Sequence, residues 1–315
     1  MNVLRIFLFI ALVSTSGFSQ AKEMPTQGPA VVGTRVSLKP PAGFIPSPQF
    51  PGYWLESLGS SIMVTELPVP FPIMSAGLAN PSELMSKRGI SLLNKQEVKV
   101  AGRSGLLVQA KQNAFGTEYL KWLLIFGDEK ESVMITASFP KELGGELSKR
   151  MKASILTATW NREKNVSLTE GLNFTVDEKG ELKIAKRIAN LLMFTSSGIF
   201  PSKDVDAPVF IVGQSVSKVE IVNPEEFANA RIRQTATITN FDIEQSNRVT
   251  IDNLNGYEIV AKGKDKASGQ SMLVYQVLLF EEQSYYLMQG LVRDINRQPN
   301  LEIFKGMART FKRKK

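Results

Sequence analysis

The sequence predicts two copies of one α+β domain laid end to end, each an α/β/α sandwich whose mainly antiparallel sheet is covered by helices. Three observations predict it. The chain is 315 residues long, and single domains run to roughly 150 residues, so the length suits two. Short patterns from the first half recur in the same order in the second. Each half also carries period-two apolar runs joined by turn residues, followed by a closing segment with helical spacing.

The first residues stand apart from this frame. Met1 to Arg5 carries one positive charge, Ile6 to Val13 is unbroken apolar chain, and Ser14 to Ala21 is small and polar. This is the layout of a secretory signal peptide, spanning 1–21, with Ser19-Gln20-Ala21 setting cleavage before Lys22. The apolar core is much shorter than the roughly 20 residues a spanning helix needs. Without cysteine there is no residue to acylate, which excludes a lipoprotein. The expectation is therefore a periplasmic or secreted protein.

The mature chain divides into 22–160 and 161–315, joined through the polar stretch Asn161 to Asn165. Val36-Ser37-Leu38 with Phe44 recurs as Val166-Ser167-Leu168 with Phe174. A strand follows in each half, Ser61 to Leu67 and Pro208 to Gln214. Asn80-Pro81-Ser82-Glu83-Leu84 then matches Asn223-Pro224-Glu225-Glu226-Phe227. Asn caps a helix, Pro suits its first position, and Glu lies near the positive end of its dipole.

Four strands come next. Val98-Lys99-Val100 leads to Gly105 as Val249-Thr250-Ile251 leads to Gly256, at the same spacing. Tyr119 to Phe126 with Ser132 to Phe139, and Met272 to Phe280 with Ser284 to Leu291, read as hairpins. Leu143, Leu147, Met151, Ile155 and Ala158 fall on one helical face, as do Leu301, Phe304, Met307, Ala308 and Phe311. Trp160 and Phe311 end the two units. The halves differ before the capped helix: Pro40 to Pro72 is a Pro-rich aromatic loop, whereas Leu182 to Leu192 reads as an amphipathic helix.

This order of elements, with Pro41-Ala42-Gly43-Phe44, the Asn-Pro helix starts and the strand-plus-glycine units at Gly105 and Gly256, resembles the PsbP-like superfamily. The resemblance covers nearly all of the mature chain as two copies. It implies a domain without chemistry of its own that docks on other proteins or serves as an exported accessory factor. It brings no active-site residues, and the longer insert of the second copy departs from its pattern.

Composition narrows the chemistry further. The chain holds no Cys and no His, which removes thiol nucleophiles, histidine bases, Ser-His-Asp triads and the usual Cys- and His-bearing metal sites. Lys and Arg total 38 against 30 acids, for a net charge of +8. Arg309, Lys312, Arg313, Lys314 and Lys315 supply much of the excess. That basic end is a candidate for contact with anionic headgroups, set against a solvated, frayed terminus. The export signal argues against nucleic acid.

The candidate partner-binding residues are Phe50, Tyr53, Trp54 and Phe71 in the aromatic loop, since aromatics dominate interface hot spots, set against a role in covering the sheet. Arg231 and Arg233 on the capped helix, with Lys262, Lys264 and Lys266 in a hairpin, form a candidate anion-binding rim, set against solvated charge. Asp204 and Asp206 offer too few oxygens for calcium. The expected function is a non-enzymatic exported binding or assembly protein, with no cofactor and no metal. It would dock a protein partner through the aromatic loop or the groove between the domains. The alternatives are a carrier of a small apolar ligand or lipid, and a carboxylate-based hydrolase with two paired acids in a cleft.

Overall fold

The computed structural model describes residues 28–79, 89–114, 116–202, 204, 206–216 and 218–314. The expected signal peptide and the helix start at Asn80 lie outside the described residues.

The first copy runs β1 (Val36–Ser37), β2 (Ile45–Pro46), β3 (Gly52–Leu55), β4 (Ser60–Leu67), α1 (Phe71–Ala79), β5 (Ile90–Val100), β6 (Arg103–Ala114), β7 (Thr117–Gly127), β8 (Ser132–Pro140), α2 (Gly144–Leu156) and β9 (Thr159–Trp160). The second repeats it as β10 (Phe174–Thr175), β11 (Lys183–Ile188), β12 (Leu191–Thr195), β13 (Val209–Gln214), α3 (Pro224–Ile232), β14 (Ile238–Ile251), β15 (Leu254–Asp265), β16 (Ser271–Glu281), β17 (Ser284–Arg293), α4 (Arg297–Ala308) and β18 (Lys312–Arg313). Among the described residues each copy holds one seven-stranded antiparallel sheet. The strand orders, β2-β3-β4-β8-β7-β6-β5 and β11-β12-β13-β17-β16-β15-β14, are the same topology twice.

Burial on both faces explains the long apolar strands. In β16, Leu273, Tyr275, Val277 and Leu279 join the core under α4 with Phe304 and Met307. The alternate residues Val274 and Leu278 pack with Ala228 and Ile232 of α3 on the opposite face. A strand buried on both sides cannot alternate apolar and polar, so β16 reads as a continuous apolar run. In the first copy, Leu147, Met151 and Ile155 of α2 close over Val64, Leu124, Phe126 and Ile135. The cap on α3 forms as its residues dictate: Asn223 Oδ1 accepts from the backbone N–H groups of Glu225 and Glu226, both at 3.2 Å.

Four expectations are corrected. The helix-covered sandwich is predominantly sheet, with short helices on its faces. The stretch Leu182 to Leu192 is the β11–β12 hairpin, turned at Ala189 (φ 53°) and Asn190, because its apolar side chains are drawn onto the sheet edge beside β13.

The opening repeat shifts register. Val36 pairs with Trp160 and Phe174 pairs with Arg313, each after its closing helix, so the structural counterpart of Val36-Ser37 is Phe174-Thr175. Val166 to Leu168 belongs to the connection between the copies.

The basic C-terminal segment is paired rather than frayed through Lys314, the last described residue. Lys312–Arg313 is strand β18, and Arg309 pairs with Glu258 at 2.9 Å. Arg313 reaches Asp252 Oδ2 at 2.9 Å through Nε and Glu281 Oε1 at 2.6 Å through Nη1. It also donates to the Asp252 carbonyl oxygen at 2.8 Å. Arg313→Ala is expected to lower stability by about 1 kcal/mol, read as a lower urea midpoint with unchanged slope, since the ion pairs are partly solvated. An unchanged midpoint would show that the strand holds without them.

Candidate functional site

A cleft of about 260 Å³ opens where the two copies meet, lined from the first copy by Thr34, Arg35, Val64, Glu66 and Glu131 and from the second by Lys186 and Arg187. The connection contributes Lys164 to Leu168. The cleft lies between the two units into which the sequence divides, and its walls carry charged side chains from both.

Its first-copy wall is built around Trp160, which is 8% exposed. The guanidinium carbons of Arg35, Arg103 and Arg162 stand 5.3, 5.4 and 5.5 Å from its ring centroid, within cation–π range. The indole Nε1 donates to Glu66 Oε1 at 2.9 Å. Glu66 also accepts from Arg35 Nε at 2.8 Å and from the Arg35 backbone N–H at 3.0 Å. Arg35 continues to Glu131 in a two-pronged pair, at 3.1 Å through Nη1 and 2.6 Å through Nη2. Arg162 completes the chain with Glu131 at 3.3 Å and Asp128 at 2.7 Å.

These pairs set the charge states. Burial works against the Arg35 cation, but hydrogen bonds and attraction from Glu131 and Glu66 outweigh it and raise its pKa. Burial likewise pushes Glu131 up, and the hydrogen bond and charge of Arg35, with Arg162 behind them, bring it below the usual carboxylate range.

The second-copy wall is held differently. Arg187 on β11 is 8% exposed. Its Nε donates to the Ala189 carbonyl at 2.6 Å and its Nη1 to the Glu170 carbonyl. No carboxylate pairs with it among the described residues, and burial pushes its pKa down to about 10. Gly33 (φ 73°) makes room for it, because a Cβ there would collide with the guanidinium. Glu170 Oε1 in turn accepts from the Gly33 N–H at 3.2 Å, and Lys164 Nζ donates to the Thr34 carbonyl at 3.0 Å. Lys218 and Glu56 add a pair between the copies at 2.6 Å.

The sequence-derived candidates are dispersed by the fold. Phe50 and Tyr53 are buried, at 7% and 4% exposure, and Tyr53 belongs to the core beneath α2. Trp54, the next residue of β3, points to the other face and pairs across to Ile45. Phe71 lines a separate groove of about 450 Å³ with Val98 and Leu106. Arg231 is half-buried, and Arg233 is exposed and donates to the Phe241 carbonyl at 3.3 Å; neither lines the cleft. Lys262 is taken up by Glu244 at 3.4 Å, and Asp206 pairs with Arg293. Among the described residues no group of acids could hold a metal ion, and no helix is long and apolar enough to cross a membrane.

Sequence reasoning missed Arg35, Glu66, Glu131, Lys186 and Arg187. Trp160, marked as the end of the first unit, was the one visible pointer to them.

No protein-family model matches the chain, and no curated protein matches it. Solved structures do show likenesses. The immunity protein TplEi of T6SS from Pseudomonas aeruginosa is 13% identical, with a TM-score of 0.35 over 90% of this chain and 97% of that one. A structure of the Tle4–Tli4 complex matches over 84% of this chain and 95% of its own, at 11% identity and TM-score 0.33. The Saccharomyces cerevisiae Ran-binding protein Mog1p matches 44% of this chain and 89% of its own, at 12% identity and TM-score 0.33. Likenesses this distant decide neither family nor function.

Proposed function

We propose that this is an exported, non-enzymatic binding protein of two PsbP-like copies that docks a protein partner in the cleft between them. The observation that carries the reading is the cleft itself: walls from both copies, the first braced by ion pairs and the second by hydrogen bonds of Arg187 to carbonyls, around a space of about 260 Å³. Sites that enclose a whole small ligand usually measure about 300–1,000 Å³. This one suits an inserted side chain better than a captured molecule. Leu168, 36% exposed, adds an apolar element to the lining.

The arrangement also favours binding over hydrolysis. The cleft holds two carboxylates, as a carboxylate hydrolase would, but Glu66 and Glu131 are both engaged by Arg35. A general acid needs a raised pKa, whereas Glu131 is held low.

The test is a crosslinking capture from the native compartment with the tagged protein beside Leu168→Arg, which places a charge in the lining without touching the core. The expected result is a partner captured by the unaltered protein and lost with the variant, at equal thermal stability. Equal capture by both, no partner at all, or turnover in a broad substrate panel would refute the reading.

A further inference from the structure

The charges in the cleft do not cancel. Its two glutamates are both committed to Arg35, with Trp160 and Arg162 as further donors. Three cations remain in the same lining: Lys164, whose Nζ meets a carbonyl, Lys186, and Arg187. None of the three has an ion pair with a carboxylate among the described residues. Arg187 donates through Nε and Nη1 to carbonyls, and its Nη2 meets no acceptor among the described residues. Glu170 and Glu66 attract the guanidinium from beyond ion-pair distance, but burial outweighs them and lowers its pKa, and a buried guanidinium without a direct ion pair is costly to maintain.

The backbone is also shaped for the purpose. The β11–β12 ladder slips between Ile184 and Lys186, so that Ala185 is an extra residue immediately before the two cations. Bulges at sheet edges commonly re-aim side chains beside a site, and β11 is an edge strand.

We propose that the cleft binds an anionic group, a carboxylate or phosphate, between Lys186 and Arg187 with Lys164. A planar guanidinium and an ammonium around a small cavity are suited to such oxyanions through charge-assisted hydrogen bonds. The proposal deepens the docking reading and rests on it only for how the anion arrives, free or as an acidic side chain of the partner.

Calorimetric titration of the purified protein at low ionic strength tests it, with sodium phosphate, citrate and an oligoglutamate peptide as separate probes. Lys186→Glu and Arg187→Lys are run alongside. Lys186 is half-buried on an edge strand, so its variant leaves the core intact, and Arg187→Lys keeps the charge while losing the planar fork. At least one probe binds, Lys186→Glu weakens it about tenfold or more with an unchanged circular dichroism spectrum, and added salt weakens it further. Binding of phosphate or citrate identifies a free anion as occupant; binding of the peptide alone puts the anion on a partner. No binding by any probe, or undiminished binding by folded Lys186→Glu, overturns the proposal. Partner capture that Leu168→Arg abolishes, with every probe silent, would retain the docking reading and remove this one. Anion binding with no captured partner would do the reverse.

Discussion

Gly256→Ala is expected to destabilise the second copy by about 3 kcal/mol, whereas Gly105→Ala, at the matching position of the first, should cost about 1 kcal/mol. Both glycines start the second strand of the four-strand run and occupy the same place in their ladders. Gly105 faces Val98 and Phe126, and Gly256 faces Val249 and Leu279. Neither is kept for an unusual φ. What both avoid is a Cβ directed at the neighbouring strand. At Gly105 that carbon would stand 3.0 Å from the Ile125 carbonyl oxygen and 3.4 Å from Phe126 Cβ, which small shifts can relieve. At Gly256 it would be driven well inside contact distance of the Leu278 carbonyl oxygen, a backbone atom fixed by ladders on both sides. Urea denaturation of the two variants side by side checks this. Equal losses would mean that the closer approach in the second copy is not a real constraint.

That pair of glycines also shows what a sequence of this kind makes legible. Gly105 and Gly256, the Asn223 cap, and the helical faces of Leu147, Met151 and Ile155 and of Leu301, Phe304 and Met307 are local patterns. Each is fixed by residues a few positions apart, and each forms as expected. The Leu182 to Leu192 stretch failed because Ile184, Ile188, Leu191 and Leu192 fit a helical face as well as a hairpin. The turn that decides the matter sits on Ala189 rather than on a glycine. Only the neighbouring strand β13 selects the extended form. Aromatic density near Tyr53 was equally ambiguous, since a recognition loop and a core strand use the same residues, and the core claimed Phe50 and Tyr53. The cleft was not legible at all. Arg35 meets Glu66 and Glu131 across 31 and 96 positions, and no local spacing encodes a contact that only the folded chain creates.

The cleft wall carries the second large effect. Glu66→Ala is expected to cost about 3 kcal/mol, because the carboxylate is a shared acceptor for three donors and its removal strands them together. Glu66 and Arg35 side chains are 16% and 20% exposed, so water compensates little. The Trp160 indole N–H, the Arg35 backbone N–H and Arg35 Nε all lose their partner at once. Arg35 would then lean on Glu131 alone, and the stack of three guanidinium groups on Trp160 would loosen with it. Glu66→Gln keeps the acceptor oxygen and loses the charge, so it should retain part of the stability and separate the hydrogen-bond contribution from the ionic one. Tryptophan fluorescence in a Trp54→Phe, Trp122→Phe background, which leaves Trp160 as the one indole, provides the local readout beside the denaturation midpoint: Trp160, 8% exposed in the native protein, should become more accessible to a soluble quencher in the Ala variant and less so in the Gln variant. If Glu66→Ala left both the midpoint and the quenching unchanged, the wall would not depend on this carboxylate. An ion-paired first-copy wall facing Arg187, which has no direct ion pair among the described residues, would then no longer describe the cleft, and the docking reading would lose its structural support.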